Sequence, residues 1–445
     1  MSIASEMQER LRAVDCTVVA MHFVDTAGLS RVKVIPLRRL ETVARSGTGW
    51  SDIWAVVTVD EHFAEVPPYD SPSGDARLVP DASRTRALPF LSGYAWAPVD
   101  QFSQELEPLP TCPRHVVRLA EERLAGLGLT AQATYEVEMT LLRDGQPATP
   151  GPGYSVRSLM AVRDFGRDLA NALEAVDVPI EQFHPEYSPG QFEVSIAPSS
   201  PLEAADRLLL FRFTTRAVAA AHGMDVSFAP IVFGGGLGNG SHLHLSLWRG
   251  DANLMTGGDG PAGMHVEGAA FLAGIRDELP ALMALVAPSV PSYLRLQPGH
   301  WSGAFTAWGI ENREAALRFV PGTVTSRSRS ANFELKVVDG AANPYYAVAG
   351  CLHAGRAGIE RGATLPEPTQ EDPGVLDTET LVARGIRRLP VDLGEAAEAF
   401  AASGALRDGL GATMHDVIAG VRRKEWQDHG SKSEEELVEL HRFAY

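Results

Sequence analysis

The chain has 445 residues, 45% of them hydrophobic and 21% charged, with a formal net charge of −17. That length fits about two to three domains with real cores, and an ordinary charged fraction excludes wholesale disorder. The acidic balance argues against nucleic acid and anionic membrane as general partners.

The N-terminal stretch Met1–Arg10 is polar and helix-like without an apolar signal core, and no run reaches the length of a membrane span. Cys16, Cys112 and Cys351 are odd in number, far apart and outside any CxxC spacing, which fits a reducing compartment. A soluble, cytoplasmic protein is expected. Residues 11–105 read mostly as strands. Thr17–Val24, a turn at Ala27-Gly28 and Arg31–Pro36 form a hairpin pattern, Trp54–Val59 and Tyr94–Pro98 follow as strands, and 67–74 is a Pro- and Ser-rich loop. Near Pro108-Leu109-Pro110 the pattern changes. Thr111 is placed to cap a helix that has Pro113 in its first turn and runs to Leu127. Helices are expected over 155–176, 201–222, 263–285, 345–361 and 376–388, with a helical tail from 413. Between them come a strand after Leu127, others at 225–232 and 242–248, and the glycine-dense loop 234–240. Strands and helices alternate without βαβ spacing or repeats, so the class is α+β with a mostly antiparallel sheet.

Chemistry concentrates in a few short segments. Glu136 and Glu138 in Tyr135-Glu136-Val137-Glu138-Met139 are two apart on a strand and share a face. His242, His244 and Ser246 do the same in His242-Leu243-His244-Leu245-Ser246-Leu247-Trp248. Glu186 and Glu193 flank Pro189-Gly190-Gln191, and Glu334 sits in Asn332-Phe333-Glu334-Leu335-Lys336. Each alternation, taken alone, also suits a half-exposed strand. Several acids aimed at one cavity, however, need cations to neutralise them, and oxygen-rich ligand sets suit Mg²⁺ or Mn²⁺. The Gly234–Gly240 loop could bring backbone N–H groups to phosphates, although it matches neither a Walker loop nor a dinucleotide fingerprint. Arg295, Arg313, Arg318 and Lys336 are cations set among apolar or small residues. Their forks suit carboxylate or phosphate, and equally a pairing with a nearby glutamate.

In their order, these segments resemble the glutamine synthetase family over nearly the whole chain. The carrying motifs are Tyr135–Glu138, Glu186–Glu193, Gly238-Asn239-Gly240-Ser241-His242 through Trp248, Tyr293-Leu294-Arg295-Leu296-Gln297-Pro298-Gly299, Glu311-Asn312-Arg313-Glu314-Ala315-Ala316-Leu317-Arg318, and Glu334 through Asn343-Pro344-Tyr345. The resemblance implies the family's fold: a small N-terminal β-grasp domain over 1–107, then a catalytic domain over 108–445 with a curved, mostly antiparallel sheet flanked by helices. It implies Glu138, Glu186 and Glu193 as ligands of the metal that holds substrate. Glu136, His242 and Glu334 correspond to the ligands of the metal on the nucleotide phosphates. Glu181, His244 and Ser246 match nucleotide-contacting positions, Arg295 a contact to the glutamate carboxylate, and Arg313 and Arg318 contacts to the transferring phosphate and ATP. The implied cofactors are ATP and about two to three Mg²⁺ (or Mn²⁺) ions per site. The implied reaction phosphorylates the γ-carboxylate of glutamate, and an amine then displaces phosphate to form an amide. Family members form rings, commonly homododecamers, with active sites between subunits.

The departures bear on the amine. Ammonia-using members carry an acid where this chain has Trp301, after Pro298-Gly299-His300. Leu237 replaces an asparagine and Lys336 an arginine, Tyr154 matches a tyrosine on the amine side, and Asp52 is a candidate for the acid that the small domain lends to its neighbour. No tyrosine stands in Arg388–Leu393, where some members are adenylylated, so escape from that control is expected. With His184-Pro185-Glu186-Tyr187 and Gly299–Gly303, these features resemble the γ-glutamyl-amine ligases, in particular the γ-glutamylpolyamine synthetases. That resemblance implies an amine such as putrescine, cadaverine, spermidine or spermine. The rivals are a ligase for ethanolamine or another alkylamine, an ammonia-using enzyme, and a non-catalytic relative, which retention of all six ligands disfavours.

Overall fold

A computed structural model describes residues 2–71 and 73–445. Met1, the start of the expected N-terminal helix, and Pro72, in the expected 67–74 loop, lie outside the described residues.

Helix Ile3–Arg12 begins where the Ser2 hydroxyl accepts a hydrogen bond from the Ser5 amide at 3.1 Å, an ordinary N-cap. The expected hairpin forms as the antiparallel strands Val18–Val24 and Ser30–Pro36. It joins a six-stranded sheet in the order 30–36, 18–24, 94–102, 75–80, 48–51, with the short strand Arg86–Ala87 on the flank of 94–102. Strand 18–24 runs parallel to Tyr94–Phe102, which requires the long crossover between them. Met21, Phe23, Leu40, Val43, Leu78, Ala95 and Ala97 fill the core beneath this sheet.

Two expectations for this half are corrected. The helix-like N-terminus forms as Ile3–Arg12, but Leu40–Ser46 is also a helix, inside the stretch 11–105 whose pattern is mostly β. Trp54–Val59 is not a strand: Asp52–Val56 winds as a 3₁₀ turn. Here Trp54 packs on Trp50 at 5.3 Å between ring centres and the Arg31 guanidinium lies 4.7 Å from the Trp54 ring. A short apolar run does not by itself distinguish a strand from a buried turn.

The remainder is built on a ten-stranded sheet whose main path is 308–310, 317–320, 332–335, 241–249, 130–143, 191–196, 180–185. All neighbours on that path are antiparallel except 308–310 with 317–320. Along each central strand apolar residues alternate with polar ones, the pattern of a sheet with one packed face. Tyr135, Val137, Met139, Phe192, Val194, Leu243, Leu245, Phe333 and Leu335 are buried in the core that also holds the helices Pro113–Ala125, Pro201–Ala221, Val266–Val286 and Pro344–Glu360. The acids and histidines alternate with them on the opposite face.

Other boundaries move for local reasons. The first of these helices is capped at Cys112 rather than Thr111. The single helix expected over 155–176 is two, Val156–Ala161 and Arg163–Ala175, divided at Val162, whose φ of −125° is not helical. The strand expected over 225–232 stops at Ser227, just ahead of Pro230, which has no N–H to offer a ladder. The 376–388 helix is only Thr378–Ala383, and Leu393–Ala402 and Gly404–Leu410 are helices that the sequence reading missed.

The two sheets are tied by buried cations. Arg114 grips Asp206 through two bonds of 3.0 and 2.9 Å and also reaches Asp100 and Asp81. Arg422 donates to the carbonyls of Thr26 and Ala284. Among the described residues no helix is long and apolar enough to cross a membrane.

Candidate active site

Strand register brings the ligands together. Residues directly opposite on antiparallel strands hold their side chains about 4.5–5.5 Å apart at Cβ, and the sheet aligns three such rows. Glu138 stands opposite Glu193, which stands opposite His184. His242 is opposite Glu136, and Glu136 is opposite Ser195. Arg318 is opposite Glu334, which is opposite His244. Successive rows are two residues apart along their strands, so all three project from one face.

The side chains converge accordingly. Ligand atoms of Glu136, His242 and Glu334 lie within 4.8 Å of one another, as do those of Glu138, Glu193 and His242, and of His184, Glu186 and Glu193. The first group is the trio assigned above to the nucleotide-side metal. Glu138, Glu186 and Glu193 do not close as one tight trio; Glu193 links the other two. His184 was missed as a site residue. Its Nε2 lies 3.4 Å from both Glu186 and Glu193, and the signal was available, because His184 and Glu186 are two apart in the strand segment that also carries Pro185.

Neighbouring polar groups aim these acids. The Ser195 hydroxyl donates to Glu136 at 2.9 Å, and the Gly240 amide donates to Glu138 at 2.6 Å. Gln191 Nε2 spans Glu138, the Gly238 carbonyl and Asn239. Tyr154 donates its hydroxyl to Glu186 at 2.9 Å and stacks on His184 with the rings 5.0 Å apart. Glu334 accepts from Arg318 at 3.0 Å and Lys336 at 3.1 Å. The Lys336 ammonium is therefore committed to a cluster residue.

Two glycines make room. A Cβ on Gly240 would stand 2.4 Å from His242 Nε2, and one on Gly238 would stand 2.2 Å from the Pro230 carbonyl and 2.6 Å from Arg295 Cγ. In this fold the glycine-dense loop serves the His242 ring and the Arg295 stem.

Electrostatics follow from crowding. Burial, followed by the charges of Glu136, Glu138, Glu186 and Glu334, pushes the Glu193 carboxyl far above the usual range. Burial also opposes ionisation of Glu334, but Lys336, His242 and His244 outweigh it and hold the group well below that range. Glu136 is held low against its own burial by the neighbouring imidazoles of His242 and His244. Burial lowers His244, yet Glu136 and Glu334 raise it overall. His242 Nδ1 and His244 Nε2 are buried without a hydrogen-bond partner, although Glu334 and Glu136 lie 3.3 to 3.7 Å from them. Buried carboxylates around unsatisfied imidazole nitrogens are a donor set that fits hard divalent cations.

The other expected residues are spread more widely. Ser246 lies on the same strand face as His242 and accepts from Trp248 Nε1 at 2.8 Å. Glu181 is exposed at a bulge, where the register passes from Ser195–Gln182 to Ile196–Ile180 and leaves it no cross-strand partner. Arg295 is buried, with Nη2 on the carbonyls of Lys336, Val337 and Val338 and Nε unpartnered. Arg313 is exposed on the turn that leads to Arg318. Trp301 is 63% exposed, its backbone held at a φ of 54° and its amide bound to Glu314 at 3.0 Å. Asp52 lies outside the cluster, lining a cavity with Trp50, Trp54 and Thr111, and its Oδ1 is buried without a partner.

Comparison with known proteins places this geometry. The family profile described as "Glutamine synthetase, catalytic domain" matches residues 110–441. The Gamma-glutamylpolyamine synthetase GlnA3 of Streptomyces coelicolor is 45% identical over 96% of this chain and 93% of that protein. A solved structure described as a novel glutamine synthase homolog superposes with a TM-score of 0.87 at 32% identity, covering 97% of this chain and 99% of that one. The structure described as "GmaS/ADP complex-Conformation 1" gives a TM-score of 0.84 at 30% identity over 97% and 98% of the two chains.

Proposed function

The chain belongs to the glutamine synthetase family, and from that premise we propose that it is an ATP-dependent ligase joining the γ-carboxylate of glutamate to a polyamine. The carrying observation is Trp301, an exposed indole at the position where ammonia-using members have an acid. An acid there would bind ammonium as an ion pair; an indole face instead attracts an alkylammonium by cation–π contact and packs its methylenes. Tyr154 and Tyr187, 68% and 71% exposed, add aromatic surface beside Glu186. The similarity to a Gamma-glutamylpolyamine synthetase supports the same amine class.

In this reading Glu138, Glu186 and Glu193, with His184 beside them, hold one divalent cation, Mg²⁺ or Mn²⁺, while Glu136, His242 and Glu334 hold another. When bound, such cations neutralise phosphate oxygens and offset the charge that builds during phosphoryl transfer. The protein's own part is positional. Arg318 and Arg313 present guanidinium groups to the phosphates, and Arg295 presents its remaining N–H groups to the glutamate carboxylate. His244, Ser246 and Glu181 line the nucleotide side. Tyr154 fixes the rotamer of Glu186, and Trp301 receives the amine. Residues 1–107 form the small domain and 108–445 the catalytic domain of a homododecamer. The same aromatic surface also suits a second reading, a ligase for another amine such as ethanolamine or an alkylamine.

The test is phosphate release from ATP with glutamate, Mg²⁺ and one amine at a time. Turnover with putrescine, cadaverine, spermidine or spermine, well above that with methylamine, ethanolamine or ammonium, is expected. Turnover with ammonium alone would sink the polyamine reading.

A further inference from the structure

A second group of metal-ligating side chains lies outside the active-site sheet. Asp60 and His62 sit in a tight turn closed by the Thr58 amide on the His62 carbonyl at 2.8 Å, with Glu61 between them at a φ of 66°. Asp428 and His429 end the helix Ala412–His429. One ligand atom from each of Asp60, His62 and Asp428 lies within 4.8 Å of the others. Asp60 Oδ2 is the hub: His62 Nδ1 is 2.9 Å away and His429 Nε2 is 3.4 Å away.

His429 separates this cluster from an ordinary surface network. It is 2% exposed, and both of its ring nitrogens are buried without a hydrogen-bond partner. A buried imidazole normally satisfies at least one nitrogen. Here Nε2 faces the Asp60 carboxylate at 3.4 Å without a hydrogen bond, a separation close to the edge of a tetrahedron of metal ligands, about 3.3 Å for bonds of about 2.0–2.1 Å. Asp60 Oδ1 is taken by the Thr58 hydroxyl at 2.7 Å, which turns Oδ2 toward the two imidazoles. Lys424, one turn before Asp428, contacts that carboxylate at 2.7–2.8 Å and partly neutralises the group, and the Lys432 charge also reaches His429. The position at a helix C-terminus, where carbonyls point outward, further favours positive charge.

We propose that Asp60, His62, Asp428 and His429 form a second metal site that takes a borderline divalent ion of the Zn²⁺ class. Two imidazoles with two carboxylates suit Zn²⁺ or Co²⁺ in tetrahedral geometry, whereas the active-site sheet offers an oxygen-rich set. The site pins the 58–62 turn to the last turn of helix 412–429. It lies beside the contact in which the Val59 amide donates to Glu425 at 3.0 Å, so it is structural rather than catalytic.

The experiment uses the full-length protein, stripped with EDTA and then loaded with Co²⁺ or Zn²⁺ in the presence of excess Mg²⁺. Wild type should show a tetrahedral Co²⁺ absorption band and a thermal midpoint that rises with Zn²⁺. Both responses should survive Glu136→Gln, which alters the active-site cluster. Both should be lost in His62→Ala, with zinc bound at least tenfold more weakly and one equivalent fewer retained per chain. His62 is exposed, so that variant keeps its packing; His429→Gln repeats the test from the buried side. A band that disappears in Glu136→Gln but persists in His62→Ala, or equal zinc retention in wild type and His62→Ala, overturns the proposal.

Discussion

At the scale of single residues, the cluster depends on space as much as on charge. Gly240 carries no side chain, and a Cβ there would stand 2.4 Å from the Nε2 of His242, whose Nδ1 faces Glu136 and Glu334. Gly240→Ala is expected to swing that ring away and weaken metal binding and turnover by about 10–100-fold while leaving circular dichroism unchanged. Metal titration together with phosphate release checks both halves. In the proposed function Trp301 is the specificity residue. Trp301→Glu should move preference from polyamine toward ammonium, and Trp301→Ala should raise the KM for polyamine more than it lowers kcat. Unchanged amine preference in both variants would remove Trp301 from its proposed role. His184→Ala tests the residue that the sequence reading passed over: losing an imidazole between Glu186 and Glu193 should lower metal affinity with little change in stability.

At the scale of elements, the alternations at 136–138, 242–246 and 334 were legible because a strand period of two puts every second side chain on one face. What could not be read was which strand lies beside which. The pairings Glu138–Glu193–His184 and Arg318–Glu334–His244 join segments up to 90 positions apart, and nothing local encodes that adjacency. The Trp54–Val59 turn failed for the opposite reason, since its apolar run fits two conformations and tertiary contacts with Trp50 and Arg31 select one. The glycine-dense loop was legible as a loop but not in its purpose, which rests on contacts with Arg295, His242 and the last helix. That helix, Glu434–His441, is closed by a capping box between Ser433 and Glu436, and Glu434 accepts from the Gly235 amide at 2.7 Å. Ser433→Ala should cost about 1 kcal/mol, measurable as a lower denaturant midpoint, and should loosen the 234–240 loop enough to raise its amide exchange.

At the scale of the whole molecule, three buried histidines make a contribution to stability that acid removes. His22, His353 and His441 are buried, and desolvation first, with nearby arginines second for His22 and His353 and His429 second for His441, lowers each to about 3. Unfolded histidines titrate near 6.5. Between those values the unfolded chain binds more protons than the folded one, so stability rises with pH across that window and drains away as pH falls from 6.5 toward 3. His353, with both ring nitrogens unpartnered, gains nothing from being an imidazole. His353→Leu should shift the acid-unfolding midpoint, followed by tryptophan fluorescence, to lower pH.

The three ligand rows also govern how this protein can tolerate change in chain length. Because the donors in these rows are matched across neighbouring strands, inserting or deleting a single residue inside 130–143, 191–196, 241–249 or 332–335 turns the ligands beyond it toward the packed core and their apolar neighbours toward solvent. Such a lesion removes several donors at once, so length changes compatible with activity are confined to the connections between those strands, and the site is inherited or lost as a single unit.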